Sequence, residues 1–83
     1  MDMMKSSILI VDDSAVVRRI LSLALSKHAN FNIAGTATNG VEAIQFIKDK
    51  KPDLVLLDVE MPIMDGITAL KEIRKFNPHI PII

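Results

Sequence analysis

Asp12-Asp13 and Asp58 each close a short apolar run, and these three carboxylates are the side chains of this sequence best placed to do chemistry. Ile8-Leu9-Ile10-Val11 leads straight into the first pair, and Leu54-Val55-Leu56-Leu57 leads straight into the third. Uninterrupted runs of β-branched and Leu residues read as strands buried on both faces, as in a parallel sheet. The C-terminal ends of such strands form the ligand edge. If the two strands are neighbours, the three carboxylates meet at that edge. Three like charges in one place repel one another unless a cation neutralises them. An all-oxygen donor set with several negative charges suits a hard cation, most simply Mg²⁺. A lone Asp at a strand end is more often a helix cap than a site. Asp-Asp and Asp at matching ends of two strands favour a site.

The elements that must hold these residues alternate along the chain. The predicted strands are Ile8–Val11, Phe31–Ala37, Leu54–Leu57 and a fourth apolar run at Ile80–Ile83. Between them lie three predicted helices. Ser14 caps the first, which runs to about Lys27. Its spacing puts Val17, Ile20, Leu21 and Ala24 on one apolar face, and Arg18-Arg19 on a solvated one. Asn39 and Glu42 form a capping box for the second helix, which ends near Lys50 before Pro52 and buries Ala43, Ile44, Phe46 and Ile47. Asp65 caps the third, about Ile67 to Phe76, with Leu70, Ile73 and Phe76 facing inward. Strands alternating with helices imply right-handed βαβ units and a parallel sheet.

Composition narrows the function. The chain has 83 residues, enough for one small domain. Formal net charge is zero and no basic tract stands out, so nucleic-acid binding has no electrostatic footprint. There is no cysteine, hence no disulfide framework and no thiol chemistry. No apolar run has the length of a signal peptide or a membrane span, and a cytoplasmic location is the expectation. His28 and His79 are isolated and lack the convergent partners a metal site needs. Lys50-Lys51 reads as a solvated helix end.

Val11-Asp12-Asp13-Ser14 and Leu57-Asp58-Val59-Glu60-Met61-Pro62-Ile63-Met64-Asp65-Gly66 resemble the receiver domain of bacterial two-component response regulators. Asn39-Gly40-Val41-Glu42-Ala43 is similar to that family's second-helix signature. The wording Asp-Val-Glu-Met-Pro, with the start Asp-Asp-Ser-Ala-Val-Val-Arg, most resembles the N-terminal receiver of chemotaxis protein-glutamate methylesterases. The resemblance implies a flavodoxin-like, doubly wound α/β fold, here of about four strands in the order 2-1-3-4 and three helices. It implies that Asp58 is the phosphoacceptor. It implies Mg²⁺ held by Asp12, Asp13, Asp58 and the backbone carbonyl of Glu60, with Asp13 direct and Asp12 through water. Met61-Pro62 would shape the loop, and Asp65-Gly66 would turn it into the third helix. The implied partner is a histidine kinase.

Receivers also carry a Ser or Thr after the fourth strand and a Lys at the end of a fifth. The sequence reaches neither, so residues 1–83 read as a receiver domain incomplete at its C-terminus, with its output domain elsewhere. The exposed fourth strand is then a surface for self-association. The residues themselves support phosphoryl chemistry, because a carboxylate can attack phosphorus to give an acyl phosphate. Positioning and charge neutralisation do most of the rest. Two rival readings stand beside this one. An aspartate-nucleophile Mg²⁺-dependent phosphatase would place its nucleophile after the first strand and pair it with a second Asp, where this chain has Glu60. A pseudo-receiver that is never phosphorylated would act only as an interaction module. Whether an enzymatic output accompanies the domain is left open by these residues.

Overall fold

A computed structural model of the chain describes residues 5–83, so the first four residues of the predicted domain lie outside the described residues. The order is β1 (Ser6–Val11), α1 (Ala15–Ser26), β2 (Phe31–Ala37), α2 (Gly40–Lys50), β3 (Leu54–Leu57) and α3 (Gly66–Phe76). The three strands form one parallel sheet in the order β2-β1-β3. The doubly wound, flavodoxin-like α/β fold is therefore present. The fourth apolar run differs from its expectation. It follows β3 only as an isolated parallel bridge between Ile82 and Val55. The Leu57 and Ile83 amides donate to Ile83 and Val55 carbonyls, both at 2.9 Å, and the Val55 amide donates to the Pro81 carbonyl at 3.0 Å. Pro81 has no N–H to give, which limits the ladder here. The order 2-1-3-4 is thus kept, with the last member reduced to a bridge.

Each helix starts on a side-chain cap. The Ser14 hydroxyl accepts from the Val17 amide at 3.2 Å, Asn39 Oδ1 from Glu42 at 2.9 Å, and Asp65 Oδ1 from Thr68 at 2.7 Å. These bonds satisfy amides that the first helical turn leaves without partners. The Glu42 carboxylate does not return to Asn39 as a capping box requires. It accepts from the Thr38 amide and hydroxyl at 2.7 and 2.8 Å, one residue further out.

The core lies mainly between the sheet and the pair α2 and α3. Leu9, Val11 and Val55 point there and meet Ala43, Ile47, Ala69, Ile73 and Ile80 in one buried cluster. Side chains alternate across a strand, so Ile8 and Ile10 point to the other face, where α1 packs on β1 and β2. Phe46 packs on Gly35, where a Cβ would overlap its ring. Two inward assignments need correction. Phe76 is 39% exposed, and its ring takes the Lys48 ammonium at 5.0 Å instead of entering the core, while Ala69 does the packing. In α1 the half-buried stripe is Arg18, Leu21, Ser22 and Leu25, whereas Val17, Ile20 and Ala24 are exposed. α1 packs on β1 and β2 through that stripe, and Arg18 within it donates from its guanidinium to the Asp12 carbonyl at 2.8 Å.

Candidate functional site

β1 is the central strand, and β3 pairs with it from Ile8 with Leu54 to Val11 with Leu57. The ladder runs past both ends. The Asp58 amide donates to the Val11 carbonyl at 2.9 Å, and the Asp12 amide donates to Ala37 at 3.0 Å. Both acidic positions are consequently fixed by backbone bonds at the C-terminal edge of the sheet. One carboxylate oxygen from each of Asp12, Asp13 and Asp58 lies within 4.8 Å of the others. Asp12 and Asp58 are half-buried and Asp13 is exposed.

Part of this donor set is already engaged. Asp12 Oδ1 accepts from the Ser14 amide at 2.9 Å, and Asp58 Oδ1 accepts from Val59 at 2.8 Å. The second oxygens of both carboxylates make no hydrogen bond among the described residues, and Asp13 makes none with its carboxylate. An open basin of about 810 Å³ lies beside them, lined by Asp13, Asp58, Val59, Glu60 and Met61. Free carboxylate oxygens on a roomy, wet edge fit a hard divalent cation that keeps part of its water shell. They fit a soft or all-nitrogen-ligated metal poorly.

The loop that closes the basin is shaped locally. Met61 is half-buried and packs against the core cluster, and Pro62 is exposed. The Met64 amide donates to the Pro62 carbonyl at 2.7 Å, so Ile63 sits at the centre of a three-residue turn with φ of 69°. A β-branched residue in the left-handed region is strained, and this is the rarer of the two γ-turn forms. Asp65 stands apart from the acidic cluster as the α3 cap. Gly66 lies against the Asp58 carbonyl so closely that a Cβ would overlap it, and its amide donates to Val59 at 2.8 Å. The sequence-predicted site residues therefore fall just past the C-terminal ends of β1 and β3, on the loop after β3 and at the start of α3. Asp12, Asp13 and Asp58 converge, Glu60 and Met61 line their basin, and Pro62, Asp65 and Gly66 lie outside its lining, Pro62 in the loop and Asp65-Gly66 at the start of α3.

Arg18, expected on a solvated helix face, is at this edge instead. It is half-buried and bonded to the Asp12 carbonyl. The available signal was distance along the chain. A long side chain one turn into a helix that starts at a strand end can reach back to that end.

The family profile described as response regulator receiver domain matches residues 8–83. The chemotaxis protein CheY of Thermotoga maritima is 48% identical over 80 residues, covering 96% of this chain and 66% of that protein. A protein-glutamate methylesterase/protein-glutamine glutaminase of Clostridium acetobutylicum is 41% identical over 81 residues, covering 98% of this chain and 24% of that protein. Among solved structures, the response regulator domain of Thermotoga maritima CheB superposes with a TM-score of 0.86 at 38% identity, over 89% of this chain and 55% of the other. The CheX-CheY-BeF3-Mg complex of Borrelia burgdorferi gives a TM-score of 0.90 at 37% identity, over 95% and 60%. The chain thus spans about two thirds of the CheY relative and about a quarter of the methylesterase.

Proposed function

This chain belongs to the response regulator receiver domain family, and on that premise we propose that it accepts a phosphoryl group on Asp58. The relatives are chemotaxis proteins, and two-component signalling of that kind is the setting. The observation that carries the proposal is the meeting of three carboxylates from adjacent strands beside an open basin. Asp58 is the nucleophile of choice because it stands on the loop that lines the basin, with one oxygen steadied by Val59 and the other free. Its attack on phosphorus forms the new P–O bond of an acyl phosphate as the donor's bond to phosphorus breaks.

Receivers typically use Mg²⁺, and a relative's crystal contains it. Asp12, Asp13, Asp58 and the Glu60 backbone carbonyl are the groups to hold it here. Bound there, it neutralises charge on the transferring oxygens. Asp13 offers an exposed carboxylate to it, while Asp12 is turned partly toward Ser14. Met61-Pro62 and Asp65-Gly66 keep the loop against the core and α3. The donor is a histidine kinase, residues 1–83 are part of a receiver domain that is incomplete at its C-terminus, and the output lies in a further domain. No described helix is long and apolar enough to cross a membrane, and the proposed location is the cytoplasm.

The test is direct. A small acyl-phosphate donor with Mg²⁺ should add one phosphoryl group to the intact protein by mass spectrometry, and Asp58→Asn should abolish it. Labelling that persists at Asp12 or Asp13 would refute the assignment. Many turnovers of a generic phosphate ester would point to a phosphatase instead.

A further inference from the structure

We propose that Arg18 is a positioning residue for the cation site, holding the Asp12-Asp13 turn in the geometry that Mg²⁺ requires. The inference rests on the phosphoacceptor reading and adds a residue that reading does not use. Arg18 stands in the first half of α1, yet its guanidinium reaches back to the Asp12 carbonyl at 2.8 Å. Asp12 is thereby held on three sides. Its amide donates to Ala37 across the sheet, its Oδ1 accepts from Ser14, and its carbonyl accepts from Arg18. The first two bonds fix the strand end and the helix start. The third ties the peptide between Asp12 and Asp13 to the body of α1, and that peptide sets where the Asp13 carboxylate points.

The bond's chemistry argues against an incidental surface contact. Arginine's planar fork is pre-organised for directed hydrogen bonds. A charged donor to a carbonyl is shorter and stronger than a neutral one. Among the described residues the short ion pair is Lys75 with Glu72, so no carboxylate lies within 4.0 Å of the Arg18 guanidinium. Its nearest partner is a main-chain carbonyl at the acidic edge.

Charge and geometry make opposite demands, which lets the sign of one measurement decide. A cation beside the cluster repels a divalent ion, so a purely electrostatic Arg18 would weaken Mg²⁺ binding, and its removal would tighten it. A positioning Arg18 has the reverse effect. Groups that orient metal ligands are worth about tenfold or more in affinity. Arg18→Gln should therefore weaken Mg²⁺ binding about tenfold, even though it removes a repelling charge. Arg18→Lys keeps the charge and one donor able to reach the carbonyl, and should restore much of the affinity.

The experiment is a Mg²⁺ titration of the intact protein followed by amide shifts, with thermal unfolding of each metal-free variant alongside. Weaker binding in Arg18→Gln, partial rescue in Arg18→Lys and an unchanged metal-free transition would establish the role. Equal or tighter binding in Arg18→Gln would overturn it while leaving phosphorylation of Asp58 standing. A readout on the wild type guards against a variant that does not fold. The Arg18 guanidinium resonances should shift in step with the Asp13 amide as Mg²⁺ is added, and resonances that stay still would overturn the inference. A wild type that binds no Mg²⁺ would refute the phosphoacceptor reading and this role together.

Discussion

At the scale of single residues, the three aspartates differ in what they have left to offer. Asp12 spends one oxygen on the Ser14 amide and Asp58 spends one on Val59, whereas Asp13 is exposed and faces the basin with both oxygens unengaged. Asp13→Ala should therefore weaken Mg²⁺ binding by about tenfold or more, and Asp12→Ala by less, because a direct ligand contributes more than an indirect one. Titration by amide shifts is the check, and equal affinity in wild type and Asp13→Ala would rule the assignment out. The three carboxylates were legible in the sequence because residue type and strand end suffice to find them. Arg18 was not, since helical periodicity reports which face a residue is on and not which carbonyl its side chain reaches. Nor was the strained turn at Ile63, because nothing in a β-branched residue announces a positive φ.

At the scale of elements, the caps were legible and the packing faces less so. Ser14, Asn39 and Asp65 all cap as their types suggest, because a short polar side chain before an apolar-periodic run has few other uses. The packing face of α1 is harder to read because apolar residues lie on more than one side of the helix. Val16, Ile20 and Leu23 are more than half exposed, so periodicity had little polar contrast to work against. The caps also set a pH dependence. The Thr38 amide, and then its hydroxyl, hold Glu42 below its ordinary 4.5, and the Thr68 amide holds Asp65 below its ordinary 3.8. Groups lowered in the folded state contribute stability above their ordinary values, and it is lost as pH falls through the lowered ones. The expected loss begins near pH 4.5 for Glu42 and near 3.8 for Asp65. It should be modest, because both groups face solvent. Asn caps nearly as well as Asp without titrating. The Tm of Asp65→Asn should accordingly fall less steeply than wild type on acidification, and parallel Tm curves would refute this account.

At the scale of the whole molecule, the two faces of the sheet are unequal. One carries α2, α3 and most of the core, while the other carries α1 and leaves Leu54 and Leu56 only half-buried. Beyond β3 the edge is Ile80–Ile83, where Ile83 is 76% exposed. Unpaired backbone next to apolar side chains is a template for a second chain. A polypeptide of these residues alone should self-associate in sedimentation experiments, and Ile83→Lys should shift it toward monomer. A monodisperse wild-type monomer with a sharp thermal transition would show the edge to be harmless. The alternation of strands and helices made this topology readable, but the shrinking of the fourth strand to one bridge depends on Pro81 and on pairing that no local pattern encodes. The central position of β1 has one more consequence, and it concerns time. Asp12-Asp13 and Asp58 directly follow strands that pair with each other but are not consecutive in the chain, with α1, β2 and α2 between them. Closing that long excursion is a slow, non-local event. Two of the three carboxylates are in place as soon as β1 exists, and the third arrives only when β3 docks on the open side of β1. The capacity for chemistry is thus acquired late in folding, in the same event that completes the middle of the sheet.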